Sequence, residues 1–152
     1  MVTVRRSPEL EALAEEARQR FRNGDNDWFA ATTAHGEVIA YGSAPEEVWR
    51  GRDAVLDLTV EHIRTLNESA GLVVDENADA ETEGYETGDT GWIVTHGHFR
   101  LTDGSTVPTR SISVCVRDDD GWKFVLSGVD VVVPNELIAP GSPLVTREAA
   151  PA

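Results

Sequence analysis

The sequence lacks most of the features that carry covalent, nucleotide or membrane chemistry. Cys115 is the single cysteine, so no disulfide framework can form within the chain. No apolar run approaches the ~20 residues that a membrane-spanning helix needs, and no charged-then-apolar leader begins the chain. There is also no glycine-rich phosphate loop, GxSxG elbow or Walker motif. We therefore expect a cytoplasmic protein with no cofactor and no membrane partner.

Lysine is scarce as well, and the chain is strongly acidic. Lys123 is the single lysine, the other twelve basic residues are arginines, and 27 acidic residues bring the net charge to -14. Such a chain repels nucleic acid and anionic membranes. We expect no nucleic-acid partner, and a strongly anionic ligand is disfavoured unless arginines cluster locally.

Helical signals dominate the first half of the chain. Ser7-Pro8-Glu9 combines an N-cap, a proline at the first helical position and an acid in the first turn. A second, shorter helix is predicted over 25–34, followed by a short strand over 37–42. Asp53 is the predicted N-cap of a third helix that runs to about residue 67.

The second half reads as a four-stranded antiparallel meander. Asp103-Gly104 and the acidic segment 118–121 fall between alternating runs, which is typical of hairpin turns. We predict an acidic edge strand over 81–86 and longer strands over 91–101, 106–117 and 122–133. The predicted fold class is α+β, with helices covering one face of a curved antiparallel sheet.

The turns allow a prediction of which sheet face forms the core. If Asp103-Gly104 is a two-residue turn and 119–121 a three-residue loop, the alternation collects one strongly apolar face. That face carries Ile93, Phe99, Ile112, Val114, Val116, Phe124 and Leu126. We predict that it points toward the helices.

The same register brings two opposite charges together. Arg110 and Asp130 fall opposite each other on the predicted core face, and Gly97 and Gly128 leave space beside them. One interpretation is the polar end of a ligand pocket, in which Asp130 acts as general base and Arg110 orients it or stabilises negative charge. The other is a structural ion pair at the end of the sheet. In both, the side chains lie within hydrogen-bonding reach.

The chain resembles the nuclear transport factor 2-like superfamily, in its SnoaL-like branch, over roughly residues 8–137. The resemblance rests on the helix order and on three blocks, namely Gly51-Arg52-Asp53, the stretch 107–123 and Val133-Pro134-Asn135. It implies a cone-shaped α+β domain over 1–137 with three helices on the concave sheet face, a deep pocket, and a homodimer formed through the outer sheet face. Residues 138–152 are rich in proline and glycine, and we predict a flexible C-terminal tail there.

One departure from the family pattern bears on function. Many SnoaL-like chains carry a pocket histidine on the last strand and a serine two residues later, where this chain has Gly128 and Asp130. Asp130 is then the one obvious carboxylate base. We expect a domain that binds a small molecule in a mostly apolar pocket with one polar end; the alternative is a cofactor-independent isomerase, cyclase, dehydratase or hydrolase. The predicted pocket lining is Trp28, Tyr41, Trp49, His62, Phe99, Ile112, Leu126 and Gly128.

Histidines offer a further candidate site. His96 and His98 share one strand face at a spacing that zinc can use, but Cys115 lies too far along the sheet to complete the site. We predict no metal, and place both histidines in a subunit interface together with Trp92, Ser111 and Ser113. His62 lies within a helical apolar stripe, where a hydrogen-bonded core histidine is the simpler interpretation.

Overall fold

The computed structural model describes residues 1–68, 72–73, 80–101 and 104–133. The elements are β1 (Arg5–Arg6), α1 (Pro8–Arg22), α2 (Asn26–Thr32), β2 (Ile39–Tyr41), β3 (Val48–Arg50), α3 (Arg52–Glu68), β4 (Leu72–Val73), β5 (Glu81–Thr87), β6 (Thr90–Leu101), β7 (Thr106–Asp118) and β8 (Gly121–Val131). The three helices and the four long strands lie where the sequence predicts them. The short strands β1, β3 and β4 were not predicted, and the predicted tail lies outside the described residues.

The strands form one curled sheet in the order β1-β5-β6-β7-β8-β2-β3, with β4 paired to β6. The predicted α+β class is confirmed, but the sheet is mixed rather than purely antiparallel. β2 runs parallel to β8, because the long stretch of chain between them leaves room for a crossover. Helix α1 packs on β5 and β6, α2 on β8, and α3 on β2 and β3.

Helix α1 is seated directly on the sheet. The Ser7 hydroxyl caps it by accepting from the Leu10 amide, and the Leu10 side chain is 0% exposed. Gly84 and Gly91 make the close approach possible, since a Cβ on Gly84 would lie 2.6 Å from the Ser7 carbonyl oxygen. The core around Leu10 contains Ala14, Ile93, Cys115 and Trp122. We call this helix-covered side the inner face of the sheet, and the opposite side the outer face.

The predicted register between β6 and β7 is wrong by one residue. Arg110 pairs with His96 and Thr109 with Gly97, whereas a two-residue turn at Asp103-Gly104 requires Arg110 opposite Gly97. Arg100 pairs with Thr106, so the connection is longer than the predicted turn. A slip of one residue transfers every β7 side chain to the other face relative to β6.

The register between β7 and β8 is partly as predicted. Asp118 pairs with Gly121, so the turn has two residues instead of three. Gly121, which follows the two turn residues, has a positive φ of 112°, a conformation that favours glycine. A bulge between Val114 and Cys115 then shifts the strands by one residue. Beyond it, Arg110 pairs with Asp130 as predicted.

These pairings divide the predicted core face between the two sides of the sheet. Ile93 and Phe124 lie on the inner face as predicted, and Cys115 is buried beside them. Ile112 is 42% exposed on the outer face, which Val114, Val116 and Leu126 share. Burial raises the pKa of the Cys115 thiol to about 12, which makes this thiol a core group and not a nucleophile.

A buried carboxylate anchors the N-terminal strand to the sheet. Glu86 is 5% exposed and accepts from the Ser7 hydroxyl at 2.5 Å and from Nη2 of Arg5 at 2.5 Å. Nη2 of Arg117 lies 3.3 Å away and also contacts Glu9, which in turn accepts from the Trp122 indole. The hydrogen bond from Ser7, and next that from Arg5, lower the pKa of Glu86.

The lowered pKa predicts an acid-dependent contribution to stability. Because the carboxylate is favoured in the folded state, Glu86 stabilises the fold above its unfolded pKa of 4.5, and this is lost as the pH falls through the lower folded value. Glu86→Gln should reduce the melting temperature at pH 7 by roughly 5 °C, with a shrinking difference from wild type below about pH 4.5. Melting curves from pH 7 to pH 3 measure this. Glu81→Gln, an exposed acid on the same strand, is the control, and a pH-independent Glu86→Gln difference would contradict the prediction.

Candidate functional site

Beyond the core around Leu10, the inner face of the sheet carries several hydroxyl groups. Strand alternation places threonines on β5 and β6 and serines on β7 and β8 toward the helices. All are partly buried: Thr82, Thr95, Ser111, Ser113 and Ser127. At the sheet positions that the structure describes, Glu86 is the only inner-face carboxylate, and it is held in the network with Ser7 and Arg5.

One hydroxyl pair is connected to a helix arginine. Nη1 of Arg18 on α1 donates to Oγ1 of Thr82 at 3.0 Å, and Oγ1 of Thr95 lies 3.1 Å from Oγ1 of Thr82. The same guanidinium pairs with Glu15 through Nη2 at 2.5 Å. The hydrogen bond from Arg18, and next that from Gln19, lower the pKa of Glu15, so Glu15 stays ionised and balances the arginine.

A second hydroxyl pair lies toward β2. Ser113 and Ser127 are directly opposite each other, with their Oγ atoms 3.3 Å apart. Ala40 follows on β2 and Trp49 on β3, so the same cross-strand row runs from a serine pair through a small residue to an indole. Each hydroxyl has one donor and two acceptor sites, so the pair keeps hydrogen-bonding capacity toward the helix side.

An aromatic contact closes the β3 end of the inner face. The rings of Trp49 and His62 meet edge to face with centroids 6.4 Å apart, which brings α3 onto β3. Both residues were predicted to line the pocket. The His62 side chain is exposed, however, so the interpretation as a core histidine is wrong.

The predicted charged pair lies elsewhere. Arg110 and Asp130 are opposite each other, as predicted, but both are exposed and both share the outer face with Ile112. Neither side chain takes part in a hydrogen bond or ion pair with another described residue. Arg110 instead belongs to a row of polar residues across the sheet, with Glu81, His96 and Asp130. The role of Asp130 as a base stays a prediction that its position does not favour.

The other predicted site residues divide between the faces. Four residues of the predicted lining lie on the outer face: Tyr41, Ile112, Leu126 and Gly128. Trp28 lies in α2 and packs edge to face on Phe29, while the Phe99 side chain lies outside the described part of the structure. The predicted interface residues Trp92, His96 and His98 are on the outer face, whereas Ser111 and Ser113 are on the inner face.

Within the described ranges, no three His, Cys, Asp or Glu side chains come close enough to hold a metal ion. None of the helices described there is both long and apolar enough to cross a membrane. Metal independence therefore stays a prediction. Among the described residues, the hydroxyl pairs of the inner face form the candidate site.

Comparisons with known proteins agree with this architecture. The family model of the SnoaL-like domain matches residues 10–131. A protein of cystatin-like fold from Caulobacter vibrioides superposes with a TM-score of 0.65 at 15% identity, covering 91% of this chain and 96% of its own. A protein from Streptomyces avermitilis, of the NTF2-like family and provisionally called a dehydratase, gives 0.61 at 19% identity, covering 84% and 99%.

A third solved structure, an NTF2-like protein from Pseudomonas putida KT2440, gives a TM-score of 0.63 at 17% identity, covering 80% of this chain and 83% of its own. None of the curated proteins matches the chain in a sequence search. At these identities, the solved structures show a shared fold.

Proposed function

The chain belongs to the SnoaL-like domain family, and from that membership we propose that it binds a small molecule on the inner face, between the sheet and the helices. The observation that carries this proposal is the set of partly buried hydroxyls beside Trp49. Small-molecule sites combine concave apolar and aromatic walls with a few polar groups that fix orientation. Here the strands β6, β7 and β8 supply the polar groups, and Trp49 supplies apolar wall.

The position of the carboxylates supports binding rather than catalysis. A general base must reach the proton that it removes, either directly or through one water. Asp130 is exposed on the outer face, and Glu86 is committed to Ser7 and Arg5. An isomerase or hydrolase that uses Asp130 would need its substrate on the far side of the sheet from the hydroxyls. We therefore favour the binding function.

A nuclear magnetic resonance screen of a library of small neutral molecules tests the proposal. Hits should shift the amide signals of Thr95, Ser113 and Ser127 on the inner face. Ser111→Phe should weaken these hits at least about tenfold by filling the site, while Ile112→Phe, its neighbour on the outer face, should leave them unchanged. A library without hits, or hits that shift only outer-face residues, would contradict the binding function.

We also propose that two copies pair through the outer face. Two neighbouring cross-strand rows there are apolar between charged ends. One runs from Arg6 to Arg50 through Tyr85, Trp92, Val114, Leu126 and Ile39; the other begins at Glu83 and continues through Val94, Ile112, Gly128, Tyr41 and Val48. Ile112 is 42%, Tyr41 41% and Val48 38% exposed. An apolar patch with a polar border is typical of an interaction surface. Polar residues border it along the row that contains His96 and Arg110.

A further inference from the structure

The hydroxyl groups of the inner face point to the chemical class of the ligand. We propose, on the basis of the binding function above, that the ligand is an uncharged molecule with a hydrogen-bond acceptor such as a carbonyl oxygen, and that the Thr95 hydroxyl donates to this acceptor. Arg18 and Thr82 are positioning residues that orient the Thr95 proton.

The first step is the direction of the hydrogen bonds. Oγ1 of Thr82 accepts from the cationic Arg18 at 3.0 Å and lies 3.1 Å from Oγ1 of Thr95. Donation from a guanidinium polarises the Thr82 hydroxyl and makes it a better donor. Either hydroxyl can donate across the Thr82–Thr95 contact; we take Thr82 as the donor, which leaves the Thr95 proton to point onward. Because Thr95 is only partly buried, a ligand on the inner face can accept that proton.

The second step is the charge of the site. The Arg18 guanidinium is paired with Glu15 at 2.5 Å, so the charge at the Arg18 end of the Arg18–Thr82–Thr95 chain of hydrogen bonds is already balanced. Thr95 therefore acts as a strengthened donor with no net charge beside it. The sheet positions described on the inner face offer a carboxylate or phosphate ligand no unpaired cation, and the net charge of -14 disfavours an anion overall. On the helix side, Arg52 of α3 donates to the Ala30 carbonyl and has no acidic partner among the described residues.

The third step is the surroundings of Thr95. It pairs across the sheet with Ser111, and Ser113 is a diagonal neighbour about 7–8 Å away. The Ser113–Ser127 pair can donate or accept, and Trp49 lies farther along the same row. A flat molecule with one acceptor at Thr95 and a second polar atom near Ser113 matches this spacing.

Prodan, an uncharged naphthalene ketone whose fluorescence reports hydrogen bonding to its carbonyl, is the probe that tests the inference. Thr95→Val removes the donor without changing the side-chain shape, and should weaken prodan binding about tenfold and shift the bound emission to the blue. Thr82→Val should cause a smaller change in the same direction. Thr106→Val, at an exposed position on β7, should change neither affinity nor emission.

The charge of the ligand is tested with the carboxylate counterpart, 6-dimethylamino-2-naphthoate, which should bind at least about tenfold more weakly than prodan. Equal or tighter binding of the naphthoate, wild-type affinity and emission in Thr95→Val, or no prodan binding at all would each overturn the inference. A failure of the binding function itself would give a different result. In that case Ser111→Phe leaves prodan binding unchanged, and the library gives no hits on the inner face. If Ser111→Phe blocks prodan but Thr95→Val does not, the binding function stands and only the assignment of Thr95 fails.

Discussion

Gly84→Ala is expected to destabilise the fold by on the order of 3–5 kcal/mol. An added Cβ would lie 2.6 Å from the Ser7 carbonyl oxygen, 2.9 Å from Cβ of Leu10 and 3.1 Å from Cγ of Glu11. The first of these is backbone, and the Ser7 amide donates to the Gly84 carbonyl at 2.8 Å, so the helix start cannot move without breaking this bond. Helix α1 must therefore lift from the sheet, which exposes Leu10.

Urea denaturation of wild type and variant at one protein concentration measures this loss. Gly128→Ala is the matched control, because its Cβ would lie 3.7 Å from Cβ of Tyr41, at an ordinary van der Waals distance. That change should alter the free energy of unfolding by less than about 1 kcal/mol. A Gly84→Ala variant as stable as Gly128→Ala would show that α1 does not rest on β5 as closely as described.

Ile112→Glu is expected to raise the dissociation constant of the proposed dimer at least about 100-fold, because it places an unpaired charge in an apolar interface. Ile112 is 42% exposed within one chain, so the substitution should leave the folded subunit nearly unchanged. Trp92→Glu should also weaken the dimer, but Trp92 stacks on Tyr85 with ring centroids 5.9 Å apart, and its loss also affects the subunit. Analytical ultracentrifugation at micromolar concentration measures the dissociation.

The control for this experiment is Val60→Glu, at a residue of α3 that is 44% exposed and lies outside the sheet. It should leave the sedimentation unchanged. Wild-type protein that is monomeric at micromolar concentration, or an Ile112→Glu variant that dimerises like wild type, would contradict the proposed use of the outer face.

The order of the long elements could be predicted from the sequence, because their signals are local. The cap and proline at Ser7-Pro8 predict the start of α1, and alternation predicts the four long strands. The short strands β1 and β3 could not be found in this way. They have two and three residues and are fixed by partners far along the chain, so no periodicity marks them.

It was harder to predict which face of the sheet each side chain occupies. The answer depends on whether the loop before the strand has an even or an odd number of residues. One residue more in the loop after β6 moved Ile112 to the outer face, and a bulge near Cys115 offset the shorter second turn. For this reason, the Arg110–Asp130 pairing was predicted correctly while its side of the sheet was not. A signal was present in Ser111-Ile112-Ser113-Val114, where small hydroxyls alternate with apolar residues. Only the register tells which of the two sets faces the helices.

The packing of α1 on the sheet has a consequence for how the protein folds during synthesis. Ser7 binds Glu86, 79 residues later, and the Trp122 indole binds Glu9 across 113 residues. On the ribosome, the first helix therefore emerges long before the strands that cover Leu10 have been translated. The apolar stripe of the N-terminal helix therefore stays exposed during synthesis, and the sheet can form fully only after β7 and β8 have left the ribosome. Folding of this domain is thus dominated by contacts between distant parts of the chain.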